Sequence, residues 1–153
     1  IPYFIDQAKN GIITITDKKM TRFNITINQA IDLVILALKN SRGGEIFVPK
    51  IPSYNIMDLA NAIGPNCKKK IIGIRPGEKI HEELITISDS LYTFDLGKFF
   101  IISSDINDSF YSKKAKKSPK EFSYNSGSNN KFLNIGNIRN LIKKNINRKF
   151  KTI

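Results

Sequence analysis

The chain has 153 residues, room for one domain with a modest core, and 41% of them are apolar. Its formal charge is +12 and its isoelectric point is near 9.8. No apolar run approaches the roughly 18 residues that a membrane span needs, and a lone Cys67 excludes an internal disulfide or a multi-thiolate metal site. The net charge invites a nucleic-acid reading. Two features weigh against it. Lys, Asn and Ile are all abundant, the bias of an AT-rich coding sequence, and the basic residues gather late, at Lys113–Lys120 and Lys143–Lys151. Late Lys-rich segments read as solvated faces or tails. The N-terminus has no basic region or cleavage-site pattern, so it is not a signal peptide. It begins without Met inside an apolar segment, which reads as a piece of something longer. A spectator thiol at Cys67 in a reducing, cytoplasmic setting is the expectation.

Apolar residues at 1, 4, 5 and 8 predict a helix over Ile1–Lys9, with Pro2 in its first turn and Asn10-Gly11 at its end. Ile12–Thr16 is β-branched throughout and reads as a strand. Met20–Ile25 reads as extended or irregular. Thr26–Asn40 is the clearest helix: Thr26 and Gln29 form a capping box, and Ile27, Ala30, Ile31, Val34, Ile35 and Leu38 make one stripe. That stripe is expected to be core, contributing about 1.5–3 kcal/mol per large aliphatic side chain. A strand over Glu45–Val48 ends at Pro49. A second helix, capped by Ser53 or Asn55, carries Ile56, Leu59, Ala60 and Ile63 and stops at Gly64-Pro65. Ile71–Ile74 reads as a short buried strand. Helix and strand alternate here, so the class is α/β with short elements. Beyond it, Ser88–Ser90 reads as a turn or cap, Phe94–Ile102 as a last strand, Ser104–Lys120 and Asn125–Asn130 as loops, and Asn137–Phe150 as a basic terminal helix.

The chemistry is sparse. There is no Gly-rich dinucleotide fingerprint, Walker loop or nucleophile elbow, and His81 is the only histidine. Glu82 and Glu83 are adjacent and point apart, so they are not an acid–base pair. The residues support binding rather than a self-contained active site. Arg75 and Glu78 flank the Pro76-Gly77 turn. A guanidinium can fork onto phosphate oxygens, and a carboxylate can accept from two vicinal ribose hydroxyls. The same pair is also readable as an exposed ion pair on a turn, worth little. Thr16 and Arg22 sit in an irregular stretch before the good helix and form a second binding candidate, with a structural role for Arg22 as the alternative.

Three blocks then carry a resemblance: Thr16-Asp17 with Met20-Thr21-Arg22-Phe23; Gly43 through Ser53; and Ile71 through Lys79 with His81-Glu82. In this order they closely resemble the C-terminal part of the inverting UDP-N-acetylglucosamine 4,6-dehydratases, extended short-chain dehydrogenases/reductases of the polysaccharide-biosynthesis type. The match runs over about residues 1–100, with a weaker echo at Phe122–Leu133. The resemblance implies the substrate-binding region of such a fold over residues 1–103, lacking the N-terminal Rossmann half, and a basic Asn/Lys-rich extension over 104–153. It implies a UDP-N-acetylglucosamine-type ligand, with Arg75 on the diphosphate, Glu78 on the uridine ribose, and Thr16 and Arg22 as further contacts. It places NADP and the catalytic groups in the missing half and calls for no metal, so the chain alone is expected to be inactive. Surface-sugar synthesis of the pseudaminic acid kind is the implied setting, and a homo-oligomer is allowed. Asn24 departs from the pattern, where Trp is usual. Two alternatives stand beside this reading: a basic module for nucleic acid or an anionic surface, and a non-functional gene remnant. Exposed apolar surface is expected on Ile1–Ile15 and on the first helix, because the sheet they complete belongs to the absent half.

Overall fold

Most elements described are short, α2 with 14 residues being the longest of them. The computed structural model describes residues 1–119, 121–146 and 150–153. The first third holds α1 (Pro2–Lys9), β1 (Ile12–Ile15), β2 (Thr21–Phe23), α2 (Ile27–Asn40) and β3 (Ile46–Pro49). The middle holds β4 (Ser53–Asn55), α3 (Ile56–Ile63), β5 (Lys68–Ile71), β6 (Glu83–Ile85), α4 (Ile87–Ser90), β7 (Thr93–Asp95) and β8 (Phe99–Ile102). The last part holds α5 (Ser109–Lys114), β9 (Lys116–Lys117), β10 (Tyr124–Asn125) and α6 (Ile135–Asn145). The chain folds as two interleaved units: residues 1–24, 52–82 and 126–153 form unit 1, and residues 25–51 and 83–125 form unit 2.

Unit 1 is built on two small sheets and three helices. β1 and β5 pair in parallel, Ile12 opposite Lys68 through Ile15 opposite Ile71. Ile13 and Ile15 point inward and are buried with Ala8 of α1, Leu59, Ala60, Ala62 and Ile63 of α3, and Ile138 and Ile142 of α6. Four of the eight residues of α3 are buried, so its amphipathic spacing does set its packing. α6 adds a polar tie. Arg139 donates from Nε to the Ala62 carbonyl at 3.0 Å and from a terminal nitrogen to Asn61 at 3.3 Å. These are carbonyls of the last turn of α3, which its own helix cannot satisfy. Just past the helix, Lys69 Nζ donates to the carbonyls of Gly64 and Pro65. Cys67 is buried against α1, its Sγ 3.5 Å from the Ala8 carbonyl. Residues 126–153, which lie beyond the expected boundary at residue 103, thus contribute core to the same unit as residues 1–24.

Unit 2 centres on an antiparallel sheet in the order β3-β8-β7-β9. Phe94, Ile101 and Tyr111 form its buried cluster, with Phe47, Leu96, Phe99 and Ala115 around them. The expected single strand over Phe94–Ile102 is a hairpin instead. Gly97, at φ 82, supplies the left-handed residue of the turn, and Asp95 accepts from the Gly97 N–H at 2.7 Å. The Tyr124 hydroxyl donates to the Ile51 carbonyl and accepts from the Ile51 N–H, at 2.9 and 3.0 Å.

Other expectations need correction. The stretch read as extended or irregular is extended over β2, which pairs antiparallel with β4. The strand expected at Ile71–Ile74 lies earlier, at β5, and it is not buried: no residue of β5 is. Ile71, Ile72 and Ile74 are 42%, 41% and 48% exposed, because β5 ends at Ile71 and Gly73, at φ 85, turns the chain away. The loop expected over Ser104–Lys120 contains α5 and β9, α5 being capped by Asp108. α6 spans a shorter range than the helix expected to Phe150. Lys120 and residues 147–149, on which two of these expectations fall, lie outside the described residues.

α2 departs from the reading of its stripe as core and agrees with the expectation of exposed apolar surface on the first helix. Its capping box forms as read, Thr26 with Gln29, yet none of its residues is buried. Ile27, Val34 and Leu38 are 76%, 57% and 78% exposed. Periodicity finds a helix face but says nothing about whether another layer covers it. Of the surface expected to be open near the N-terminus, Tyr3 and Ile12 are exposed while Ala8, Ile13 and Ile15 are buried.

Two substitutions separate these helices. Ile142→Ala empties a fully buried site and should cost about 2–5 kcal/mol. Leu38→Lys should change stability by no more than about 0.5 kcal/mol. Urea melts of the two variants beside the parent chain check both values.

Candidate functional site

Of the sequence-predicted site residues, all four lie in unit 1, around the loop that runs from Ile72 to His81. Each foot of the loop is tied to a strand. Ile72 donates its N–H to the Ile15 carbonyl at 2.9 Å, which leaves Thr16, half-buried, one residue beyond that foot. Thr21 donates its N–H to the Ile80 carbonyl at 3.0 Å at the other foot. Between them the chain reverses at Arg75-Pro76-Gly77-Glu78. The Glu78 N–H donates to the Arg75 carbonyl at 3.1 Å, and Gly77 takes φ 82, a conformation open to Gly and closed to most side chains.

Arg75 and Glu78 are brought together by this turn, although not as an ion pair. Glu78 Oε2 accepts from the Arg75 backbone N–H at 3.0 Å. Among the described residues the Arg75 guanidinium makes no salt bridge, and both residues are exposed. The carboxylate is therefore oriented by backbone, and the guanidinium remains available to an incoming anion. Arg22 is placed differently. It donates to the Thr21 carbonyl at 2.7 Å and the Ile80 carbonyl at 3.2 Å, and its Nε lies 3.3 Å from Glu82 Oε1. Those contacts make it a tie at the foot of the loop.

The sequence reading named Thr21 and His81 only as members of the resembling blocks, and gave Ser126 and Gly127 no role in locking that foot. Thr21 Oγ1 lies 2.8 Å from His81 Nδ1 and 2.7 Å from Ser126 Oγ, and Ser126 Oγ accepts from the Glu82 N–H at 2.9 Å. Ser126 is wholly buried and Thr21 nearly so. Gly127 lies against the His81 ring: a Cβ there would sit 2.6 Å from Nδ1. The next residues extend the small β2–β4 sheet. Ser53 donates its N–H to the Lys131 carbonyl, Leu133 donates to the Ser53 carbonyl, and Asn129 Nδ2 donates to Ser53 Oγ. The signal for all of this was the echo at Phe122–Leu133. Beside Asn24, where the resembling family carries Trp, there is a small apolar dent lined by Tyr54, Leu59, Leu133, Ile138 and Leu141.

Unit 2 has its own polar recess, about 270 Å³, between Arg42-Gly43 and the Ser103–Ser109 stretch. Its carboxylates are already engaged. Glu45 accepts from the backbone N–H groups of Arg42 and Gly43, from Ser41 Oγ and from the Tyr111 hydroxyl. Burial alone would raise its pKa; these donors outweigh burial and hold it at about 2. Tyr111 is pushed up to about 12, by burial first and then by its hydrogen bond to Glu45. Asp108 caps α5, accepts from Ser103 and meets Arg42 at 3.3 Å. Among the described residues no group of three His, Cys, Asp or Glu side chains could hold a metal, and no helix is long and apolar enough to cross a membrane.

With this geometry in hand, comparison with known proteins places the chain. Residues 1–104 match the family model described as polysaccharide biosynthesis protein, and the chain belongs to that family. It is 40% identical over 140 residues to a UDP-N-acetylglucosamine 4,6-dehydratase (inverting) of Campylobacter jejuni, covering 84% of this chain and 42% of that protein. It is 37% identical over 151 residues to a UDP-glucose 4-epimerase of Rickettsia akari, covering 93% and 44%. Among solved structures, Pen from Bacillus thuringiensis superposes with a TM-score of 0.79 at 38% identity, over 94% of this chain and 44% of that one. The α/β class therefore holds, as a partial domain of a short-chain dehydrogenase/reductase type of fold, and the chain spans less than half the length of these relatives.

Gly127→Ala must move the anchored His81 ring and should destabilise the chain by about 1–3 kcal/mol. Loss of the Thr21–His81 hydrogen bond, seen in the histidine NMR signals, checks the cause; an unchanged melt and spectrum would count against it.

The Glu45–Tyr111 contact predicts a pH profile. Glu45 is depressed from 4.5, so its stabilisation is complete above that value and is lost as pH falls towards about 2. Tyr111 is raised from 10.0, so its share is complete below that value and is lost as pH rises through about 12. Urea midpoints across pH should show Glu45→Gln with a flatter acid limb than the parent.

Proposed function

We propose that this chain is the UDP-sugar-binding part of an inverting UDP-N-acetylglucosamine 4,6-dehydratase serving surface-sugar synthesis of the pseudaminic acid kind. The reading is carried by the Arg75–Glu78 turn, with a free guanidinium and a backbone-oriented carboxylate on one exposed reversal. Arg75 grips the diphosphate, since a guanidinium meets phosphate oxygens bidentately. Glu78 accepts from the uridine ribose hydroxyls through the lone pairs that the Arg75 N–H leaves open. Thr16 borders the ligand from the first foot of the loop. Arg22 contributes from the second, while its three contacts keep Ile80 in place. Unit 2 is given no ligand role here. The protein works in the cytoplasm, and homo-oligomers are compatible with the reading.

The relatives' class of enzyme uses a nicotinamide cofactor, NADP in this proposal, which supplies and recovers a hydride. The residues described offer no cradle for it. Among the described residues no strand runs through a Gly-rich turn into a helix, and the N-termini of α2, α3 and α6 are capped by their own Thr26, Asn55 and Asn134 side chains. The cofactor and the proton-transfer groups are assigned to a nucleotide-binding half outside these 153 residues. The residues present bind and orient; they move no proton and no hydride.

A second reading, a 4-epimerase acting on a UDP-hexose, draws support from the epimerase relatives that align over 93% of the chain, into the tail. Both readings share the UDP grip and differ in the fate of the sugar. In a polypeptide carrying the nucleotide-binding half, the dehydratase reading predicts a 4-keto product from UDP-N-acetylglucosamine with loss of water. The epimerase reading predicts an inverted C4 and no loss of water.

The grip is tested by calorimetric titration with UDP. Arg75→Ala removes charge-assisted hydrogen bonds worth about 1.5–3 kcal/mol, so affinity should fall roughly 10- to 100-fold. Glu78→Gln should weaken uridine nucleotides while leaving binding of inorganic pyrophosphate unchanged. Equal UDP binding by parent and Arg75→Ala would end the proposal.

A further inference from the structure

A chain of buried hydroxyls ends on an exposed histidine. Ser126 Oγ accepts from the Glu82 N–H, a group that can only donate. Ser126 keeps its own proton, and the acceptor it meets is Thr21 Oγ1 at 2.7 Å. Thr21 in turn meets His81 Nδ1 at 2.8 Å. The opposite polarity would have Nδ1–H donate to Thr21 and Thr21 donate to Ser126. That leaves the Ser126 proton without an acceptor at a position with zero exposure. A buried polar hydrogen left unpaired is the expensive outcome, so the chain runs one way: Glu82 N–H to Ser126, to Thr21, to Nδ1.

An accepting Nδ1 fixes the neutral imidazole with its proton on Nε2. Gly127 closes on the ring so tightly that even a methyl group there would meet Nδ1, Cε1 and Cγ at 2.6–2.7 Å. The ring is held at one edge and one face, yet the residue is exposed, and no described residue bonds to Nε2. Two buried hydroxyls and a glycine thus orient a donor that no described residue uses. It sits at the end of the loop that carries Arg75 and Glu78.

We propose that His81 is a ligand-binding residue of this site, donating from Nε2–H to an anionic oxygen of the bound nucleotide diphosphate, with Thr21 and Ser126 as the positioning residues that set its tautomer. The inference rests on the UDP reading of the Arg75–Glu78 turn. Together a guanidinium and a fixed neutral N–H would meet the diphosphate, the first by charge and the second by direction.

His81→Asn is the discriminating variant in the intact protein. Its amide oxygen can replace Nδ1 as the acceptor for Thr21, while nothing replaces Nε2. Its melting temperature should match the parent, and its UDP affinity should fall about tenfold, the effect of one hydrogen bond to a charged acceptor. Nitrogen-15 NMR of the parent should show the Nε2–H tautomer, and Ser126→Ala or Thr21→Val should mix the two. His81→Asn binding UDP as the parent does, while Arg75→Ala binds weakly, would overturn this inference and leave the grip intact. An Nδ1–H tautomer in the parent would also overturn it. A parent protein that binds no UDP would overturn the grip and this inference with it.

Discussion

Thr21 ties the far foot of the Ile72–His81 loop to one point. Its backbone N–H takes Ile80, its carbonyl takes Arg22, and its hydroxyl sits between Ser126 and His81. A threonine buried to this extent is tolerated only when every polar atom finds a partner. Here that requirement gathers three remote segments, around residues 21, 81 and 126. The Arg75–Glu78 turn can be exposed and still oriented because its feet are fixed. The Arg22–Glu82 pair adds little by itself, as exposed ion pairs do. Its use is geometric, since the same guanidinium also holds two carbonyls.

The α2 helix shows the opposite situation. It has a capping box, good helix formers and an apolar stripe, so it forms locally without help from packing. The stripe of Ile27, Ile31, Val34, Ile35 and Leu38 stays open to solvent. The two-stranded parallel pair in unit 1 has a related asymmetry, with β1 burying alternate residues and β5 burying none. Parallel strands are normally covered on both faces. Both observations fit a chain that spans under half the length of its relatives.

Local order was well signalled. Caps at Thr26, Asn55 and Asn10-Gly11 and the amphipathic spacing of α3 could all be read from a few neighbouring residues. Non-local order was not. β2 has only three residues and no alternation, and it exists because β4 pairs with it. The hairpin at Gly97 was marked by Asp95-Leu96-Gly97-Lys98 between two apolar stretches, a turn signal that reading one strand over Phe94–Ile102 passed over. At the site, the Arg-Pro-Gly-Glu turn was legible because its four residues are contiguous. The lock was not, because Thr21, His81, Ser126 and Gly127 come from three distant stretches. Ser126 and Gly127 also lay in an Asn/Ser/Gly-rich segment that composition marks as mere loop.

The interleaving of unit 1 has a consequence for how the chain acquires its structure. Its core needs α1 and β1 from the start of the sequence and Ile138 and Ile142 from near the end. During synthesis from the ribosome, the groove of α3 emerges long before the helix that fills it. Arg139, which ties off the last carbonyls of α3, emerges later still than Ile138. Closing so wide a sequence gap costs entropy that no local contact returns. Unit 2 is spared this delay, since its hairpin and sheet come from segments that complete by residue 125. Unit 1 is therefore the later unit to mature on the ribosome. Until α6 docks, Leu59, Ala60 and Ile63 are the surface a chaperone would meet.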